Sequence, residues 1–229
     1  MLDGSWRSVV DRGLIPIGRS LHRAGVTADV VTTIGIVMAA ASAFAIGLGY
    51  LRLGLVLLVF AGIPDALDGP VAKAAGSVSP RGAFFDSVSD RITDALLLGG
   101  VSWYLVETEP GHLVMLPVAV LVVSLLISYQ RAKAESLGLD AKGGLMERAE
   151  RVVVLAFGLL FSEALVVVLW VMLVLSVITA GQRFVKVWRQ ASSEDESPYK
   201  RRRARRRQLR FDRSRRGVSR RQIADRRFR

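Results

Sequence analysis

Four aspartates carry the types and spacing that can do chemistry in this chain: Asp65 and Asp68 in Asp65-Ala-Leu-Asp68-Gly69, and Asp86 and Asp90 in Asp86-Ser-Val-Ser-Asp90. All four fall within 26 residues, inside a region of long apolar runs. Carboxylates at membrane depth are costly and mark functional sites. Spacings of three and four put each pair on one helix face. If the first pair ends one span and the second opens the next, antiparallel packing brings them together. The sequence shows no matching basic cluster at that depth, so the four charges call for cations. Hard oxygen ligands, with no cysteine and two histidines in the chain, point to Mg²⁺, with Mn²⁺ and Ca²⁺ as alternatives. Two ions bridged by shared carboxylates suit displacement at phosphorus. Asp94 continues the second face one turn deeper and is read as orienting a neighbour, not as a ligand.

Pro64, Gly69 and Pro70 are expected to interrupt the helix beside the first pair, as helices do where they line a polar cavity. Gly76–Gly82 (GSVSPRG) reads as a small-residue turn with room for a phosphate.

The elements that must position these acids are membrane helices. The chain is 51% hydrophobic yet 23% charged, because its charges are segregated. Residues 200–229 hold 16 of the 32 basic residues and two acids, which leaves 16 basic against 18 acidic residues in the remainder and a net charge there of −2. A span needs about 20 mostly apolar residues. The candidates are 30–49, 51–71, 83–106, 113–134, 148–161 and 162–187, of which the fifth is short. Residues 1–23 carry apolar positions at helical spacing between recurring charges and predict an amphipathic juxtamembrane helix rather than a secretory signal. The expected fold is an all-α integral membrane protein, with a six-helix membrane domain over 24–190. Residues 191–229 form a polar linker and a disordered Arg-rich tail. Lys and Arg concentrate on one side of the spans, which puts both termini and the acidic cluster in the cytoplasm, at the cell membrane.

The stretch DALDGPVAKAAGSVSPRGAFFDSVSD (65–90) resembles the motif of the CDP-alcohol phosphotransferase family, D-x2-D-G-x2-A-R-x8-G-x3-D-x3-D. The matching positions are Asp65, Asp68, Gly69, Ala72, Gly82, Asp86 and Asp90. Lys73 stands where the family has Arg; it keeps the charge and loses the planar fork. The resemblance covers about residues 20–190 and is closest to actinobacterial phosphatidylinositol phosphate synthases through Ile127–Glu135 and Gly143–Arg151. It implies transfer of the phosphatidyl group from CDP-diacylglycerol to inositol phosphate with release of CMP. It also implies a metal site of two Mg²⁺ ions on Asp65, Asp68, Asp86 and Asp90, with Asp90 doubling as the catalytic base. Nucleotide contacts would come from Thr27, Ala28, Asp29, Val30, Gly69, Lys73 and Ser79. Lys133, Arg151 and Arg183, on three different spans, would hold the acceptor phosphate. A homodimer is a further implication of the family.

Three other readings compete. The same transfer to glycerol 3-phosphate or another alcohol keeps the fold and changes the acceptor. UbiA-type prenyltransferases pair acidic motifs around Mg²⁺ as well, but in longer chains with the motifs far apart. A membrane anchor with a nucleic-acid-binding tail is the non-enzymatic reading. The tail has two aromatics, Phe211 and Phe228, so no specific nucleic-acid module is expected, and association with membrane lipids is favoured.

Overall fold

The computed structural model describes residues 16, 20, 23–74, 79–109 and 111–192, with the backbone alone for 65, 66, 68–70 and 72–74. Of the expected amphipathic segment, Pro16, Ser20 and Arg23 are described, each helical. The rest of that segment and the tail after Ser192 lie outside the described residues.

Six α-helices follow within the described residues: α1 (Ala28–Gly47), α2 (Leu51–Ala74), α3 (Pro80–Thr108), α4 (Met115–Leu137), α5 (Arg148–Leu160) and α6 (Leu165–Ser192). They match the six apolar runs, and most differ from the expected bounds by a few residues. Thr27 starts α1 by accepting a hydrogen bond from the Val30 amide at 3.3 Å. Ser79 starts α3 in the same way, accepting from Gly82 N at 3.1 Å, with Pro80 following where a missing N–H costs nothing. The chain leaves α1 through Gly49 at φ +84°, a left-handed turn that suits glycine and sends the chain straight into α2.

One expectation is corrected here. Pro64, Gly69 and Pro70 do not interrupt the second helix: α2 runs for 24 residues through all three. A proline in a membrane helix removes one backbone hydrogen bond, which neighbouring helices and local adjustment make good.

Close approaches fix the helix directions. Ser42 Oγ donates to Gly54 O at 2.7 Å, and a Cβ added to Gly35 would stand 3.3 Å from the Pro64 Cβ, so α1 and α2 are antiparallel. Against α3 the order is the reverse. Gly100 lies on the Ala43 backbone and Gly47 against the Trp103 ring, so α1 and α3 run parallel. The N-termini of α1 and α3 and the C-terminal half of α2, which carries Asp65 and Asp68, therefore share one end of the bundle.

Two compact units are present, Met1–Ile127 with Gly143–Ala180 and Ser128–Lys142 with Gly181–Arg229. The core of the first is apolar and draws on all six helices, including Ile46, Leu58, Leu97, Val101, Val120, Leu159 and Leu169. That of the second gathers Ala134, Leu139 and Ala141, with Leu137 and Val187 beside them.

Among the described residues, three helical stretches are long and apolar enough to cross a membrane: Ala28–Gly47, Gly111–Leu137 and Ser162–Ser192. Outward faces carry large apolar side chains, Val37, Phe44, Val59, Val122, Val153, Val167 and Trp170 among them. Exposure of apolar surface on this scale is stable only against lipid or a partner. The chain is a membrane protein.

Candidate active site

Asp86 and Asp90 stand one helical turn apart on α3, each partly buried. Asp65 and Asp68 lie in the α2 backbone at the same end of the first unit; their side chains, and those of Lys73 and its neighbours, lie outside the described residues. Asp86 and Asp90 offer hard oxygen donors on one face, which is the chemistry a divalent cation of the Mg²⁺ or Mn²⁺ type takes. Among the described residues no group of three or more candidate ligands is assembled, since half of the expected set is not described at side-chain level.

The chain supplies the basic partners that sequence reasoning did not find. Asp90 Oδ1 lies 3.0 Å from Arg148 Nη1, and its Oδ2 accepts from Arg91 Nη1 at 3.1 Å. Arg91 is itself braced by a 2.8 Å bond to Ser87 O. One turn deeper, Asp94 Oδ2 accepts from Arg151 Nη2 at 2.8 Å, and Asp94 Oδ1 stands 3.7 Å from Arg148 Nε. Asp94 is 9% exposed and Arg151 5%. The expectation of four acids without a basic cluster is thus wrong at Asp90. Its cause is plain: Arg148 and Arg151 are remote in sequence, and their spacing of three on α5 reads as ordinary cytoplasmic charge until α5 is seen to lie beside α3. With Asp90 facing Arg148 and Asp94 facing Arg151, α3 and α5 run parallel, which adds the start of α5 to the same end.

That start is held by a second device. Thr179 Oγ1 accepts from Leu145 N at 3.2 Å and Met146 N at 3.0 Å, and donates to Leu175 O at 2.8 Å. The hydroxyl ties the turn before α5 to α6. Gly144, at φ +145°, packs against the Thr179 methyl, where any side chain would collide.

The expected nucleotide contacts sort by element. Thr27, Ala28, Asp29 and Val30 form the cap and first turn of α1, and Ser79 caps α3. Two helix N-termini, with their partial positive charge, therefore open toward the acidic end, an arrangement that suits phosphate oxygens. Asp29 meets Arg81 Nη2 at 3.1 Å, a pairing that ties those two starts together and that no local sequence signal marks. Gly69 lies within α2.

The three expected acceptor residues divide between the units. Arg151 belongs to the first, at the Asp94 pair. Lys133, exposed on α4, and Arg183, buried on α6, belong to the second. Within that second unit, Lys186 Nζ bonds Asp140 Oδ2 at 2.8 Å and Lys142 O at 2.8 Å, while Gln190 brackets the Asp140 backbone. The Lys186 ammonium, helped by the Lys142 amide, holds the Asp140 carboxyl below its ordinary pKa.

Comparison with known proteins agrees with this architecture. The model of the CDP-alcohol phosphatidyltransferase family matches residues 25–181. The phosphatidylinositol phosphate synthase of Mycobacterium marinum is 35% identical over 199 residues, covering 82% of this chain and 85% of the relative. The crystal structure of Mycobacterium tuberculosis phosphatidylinositol phosphate synthase with CDP-DAG bound superposes with a TM-score of 0.73 at 36% identity, over 81% of this chain and 98% of that one. The same synthase in complex with manganese and citrate gives a TM-score of 0.74 at 35% identity, over 80% and 92% of the two chains. The chain belongs to the CDP-alcohol phosphatidyltransferase family.

Proposed function

We propose that this protein transfers the phosphatidyl group of CDP-diacylglycerol to inositol phosphate, giving phosphatidylinositol phosphate and CMP. The observation that carries the reading is the meeting, at one end of the first unit, of Asp90 with Arg148 and, one turn deeper, of Asp94 with Arg151. A base and an anion-binding guanidinium stand side by side there, next to two helix N-termini suited to a pyrophosphate. The named activity of the 35%-identical Mycobacterium marinum relative supports the same acceptor.

In this mechanism the helix starts at Thr27–Val30 and Ser79, with Gly69 and Lys73 from α2, hold the cytidine diphosphate. Asp65, Asp68, Asp86 and Asp90 would hold divalent cations, two Mg²⁺ in our reading with Mn²⁺ able to substitute. When bound, these ions neutralise charge on the pyrophosphate and on the departing CMP. Asp90 takes the proton from the acceptor hydroxyl, whose oxygen forms the new bond to the phosphatidyl phosphorus as the bond to CMP breaks. Arg151 meets the acceptor phosphate through charge-assisted hydrogen bonds; Lys133 and Arg183 are the further acceptor residues that the family resemblance implies. The acyl chains stay in the bilayer.

Six spans, both termini and the site on the cytoplasmic side of the cell membrane, and a homodimer complete the proposal. The distribution of Lys and Arg supports the orientation. The basic tail associates with the anionic membrane surface.

The test is CMP release from CDP-diacylglycerol and Mg²⁺ with a panel of acceptors. Turnover with inositol phosphate is the expected result. Turnover with glycerol 3-phosphate alone moves the assignment to that acceptor, and no CMP with any phosphorylated alcohol rejects it.

A further inference from the structure

We propose that Asp94 is a positioning residue that sets the Arg151 guanidinium for the acceptor phosphate and ties it to the arm that holds Asp90. The inference rests on the acceptor reading of Arg151 given above. Asp94 lies one turn below Asp90 on α3, pointing at α5. Its two oxygens are divided between two arginines: Oδ2 takes the Arg151 Nη2 proton at 2.8 Å, and Oδ1 stands 3.7 Å from Arg148 Nε. Arg148 in turn reaches Asp90 at 3.0 Å. One buried carboxylate thus anchors both the group meant for the acceptor phosphate and the group that contacts the base.

Stability alone is a poor reason for such a pair. Burying two charges costs about as much as their attraction returns, and apolar replacements of similar volume often do as well. The pair also lines a small cavity whose other walls, Leu97, Leu98, Val152, Leu155 and Met172, are apolar. In those surroundings a guanidinium without its carboxylate would swing toward water or toward Asp90. With the carboxylate present its plane is fixed before the acceptor arrives. The 2.8 Å bond engages one of its five N–H donors and leaves others for phosphate oxygens. A preset donor loses less conformational freedom on binding, so Asp94 acts on acceptor affinity more than on the chemical step.

The experiment uses the full chain in lipid nanodiscs with Mg²⁺. It measures kcat and KM for inositol phosphate at saturating CDP-diacylglycerol, the KM for the donor, and inositol phosphate binding by calorimetry without turnover. Asp94→Asn is expected to raise acceptor KM and Kd about tenfold with the donor KM unchanged, and to add less than about twofold when placed on Arg151→Gln. A loss of kcat with unchanged acceptor KM and Kd overturns the inference, as does full additivity with Arg151→Gln. Because Asp94→Asn leaves buried arginine charge uncompensated and can fail to fold, Asp94→Glu is measured beside it. That variant keeps the charge, displaces the carboxylate, and is expected to raise acceptor KM by a smaller factor; a wild-type KM there also overturns the inference. Arg151→Gln separates the two levels. If it alone leaves acceptor KM and Kd unchanged, the acceptor reading falls and takes the inference with it. If it raises them while both Asp94 variants do not, only the inference falls.

Discussion

Arg148 Nη1 lies 3.0 Å from Asp90 Oδ1, so the carboxylate assigned as the base is held by a guanidinium from α5, a helix outside the aspartate motif. Asp90 is braced from a second side by its neighbour Arg91 at 3.1 Å. Arg148→Gln removes the arm that comes from α5 and lets the carboxylate turn. Turnover is expected to fall by about tenfold to a hundredfold, in line with the cost of small misplacements near the reacting atoms. CDP-diacylglycerol binding should stay near the wild-type value. Steady-state kinetics with a parallel donor-binding titration checks both, and wild-type turnover would show that the arm has no bearing on the base.

Gly100 meets the Ala43 backbone where α1 and α3 cross, with no room for a Cβ. Gly100→Ala forces the two helices apart, with an expected loss of about 1–3 kcal/mol, the usual range for overpacking. Gly62 in α2 has nothing within 4 Å of the same added atom, so Gly62→Ala serves as the control and should be neutral or mildly stabilising. Thermal unfolding in one detergent compares the two.

The motif helices were legible in the sequence because apolar length and the turn residues Gly49 and Pro80 fix them locally. Their meeting at one end followed from the order of short connections. Thr27 and Ser79 have the residue types of helix caps as well as of nucleotide contacts, and the structure shows the caps. Arg148 and Arg81, and the carboxylate partner of Arg151, escaped because a basic residue at a span end is explained equally well by topology. Only the packing of α5 beside α3, and of α1 beside α3, gives those arginines their carboxylates. Pro64 and Pro70 misled in the other direction: proline breaks helices in water more reliably than in a packed membrane bundle.

Asp140 is tied to Lys186, and its folded pKa lies below the ordinary carboxylate value. The sign follows directly. The contribution is fully present above about 3.9 and is lost as the pH falls from there through the folded pKa. Both side chains are about half exposed, 57% and 43%, so solvent screening keeps the effect small, below about 1 kcal/mol. Asp140→Asn should therefore lower the melting temperature slightly at pH 7, and the gap from wild type should close on acidification below about pH 3.9. A gap that widens on acidification contradicts the pairing.

Lys73 carries the motif's basic position as an ammonium. If the position contacts the donor's phosphates, Lys73→Arg should be at least as active as wild type, with an equal or lower KM for CDP-diacylglycerol, because a planar fork contacts two oxygens at once. A rise in donor KM would separate this position from nucleotide binding.

The most direct measurement on the aspartate site is Asp90→Asn, with CMP release and CDP-diacylglycerol binding followed on the same preparation. The amide keeps the shape of the side chain and cannot take the acceptor proton. The account predicts a loss of at least about a hundredfold in turnover, the scale of a general base, while donor binding is largely retained. Wild-type turnover in Asp90→Asn would contradict it.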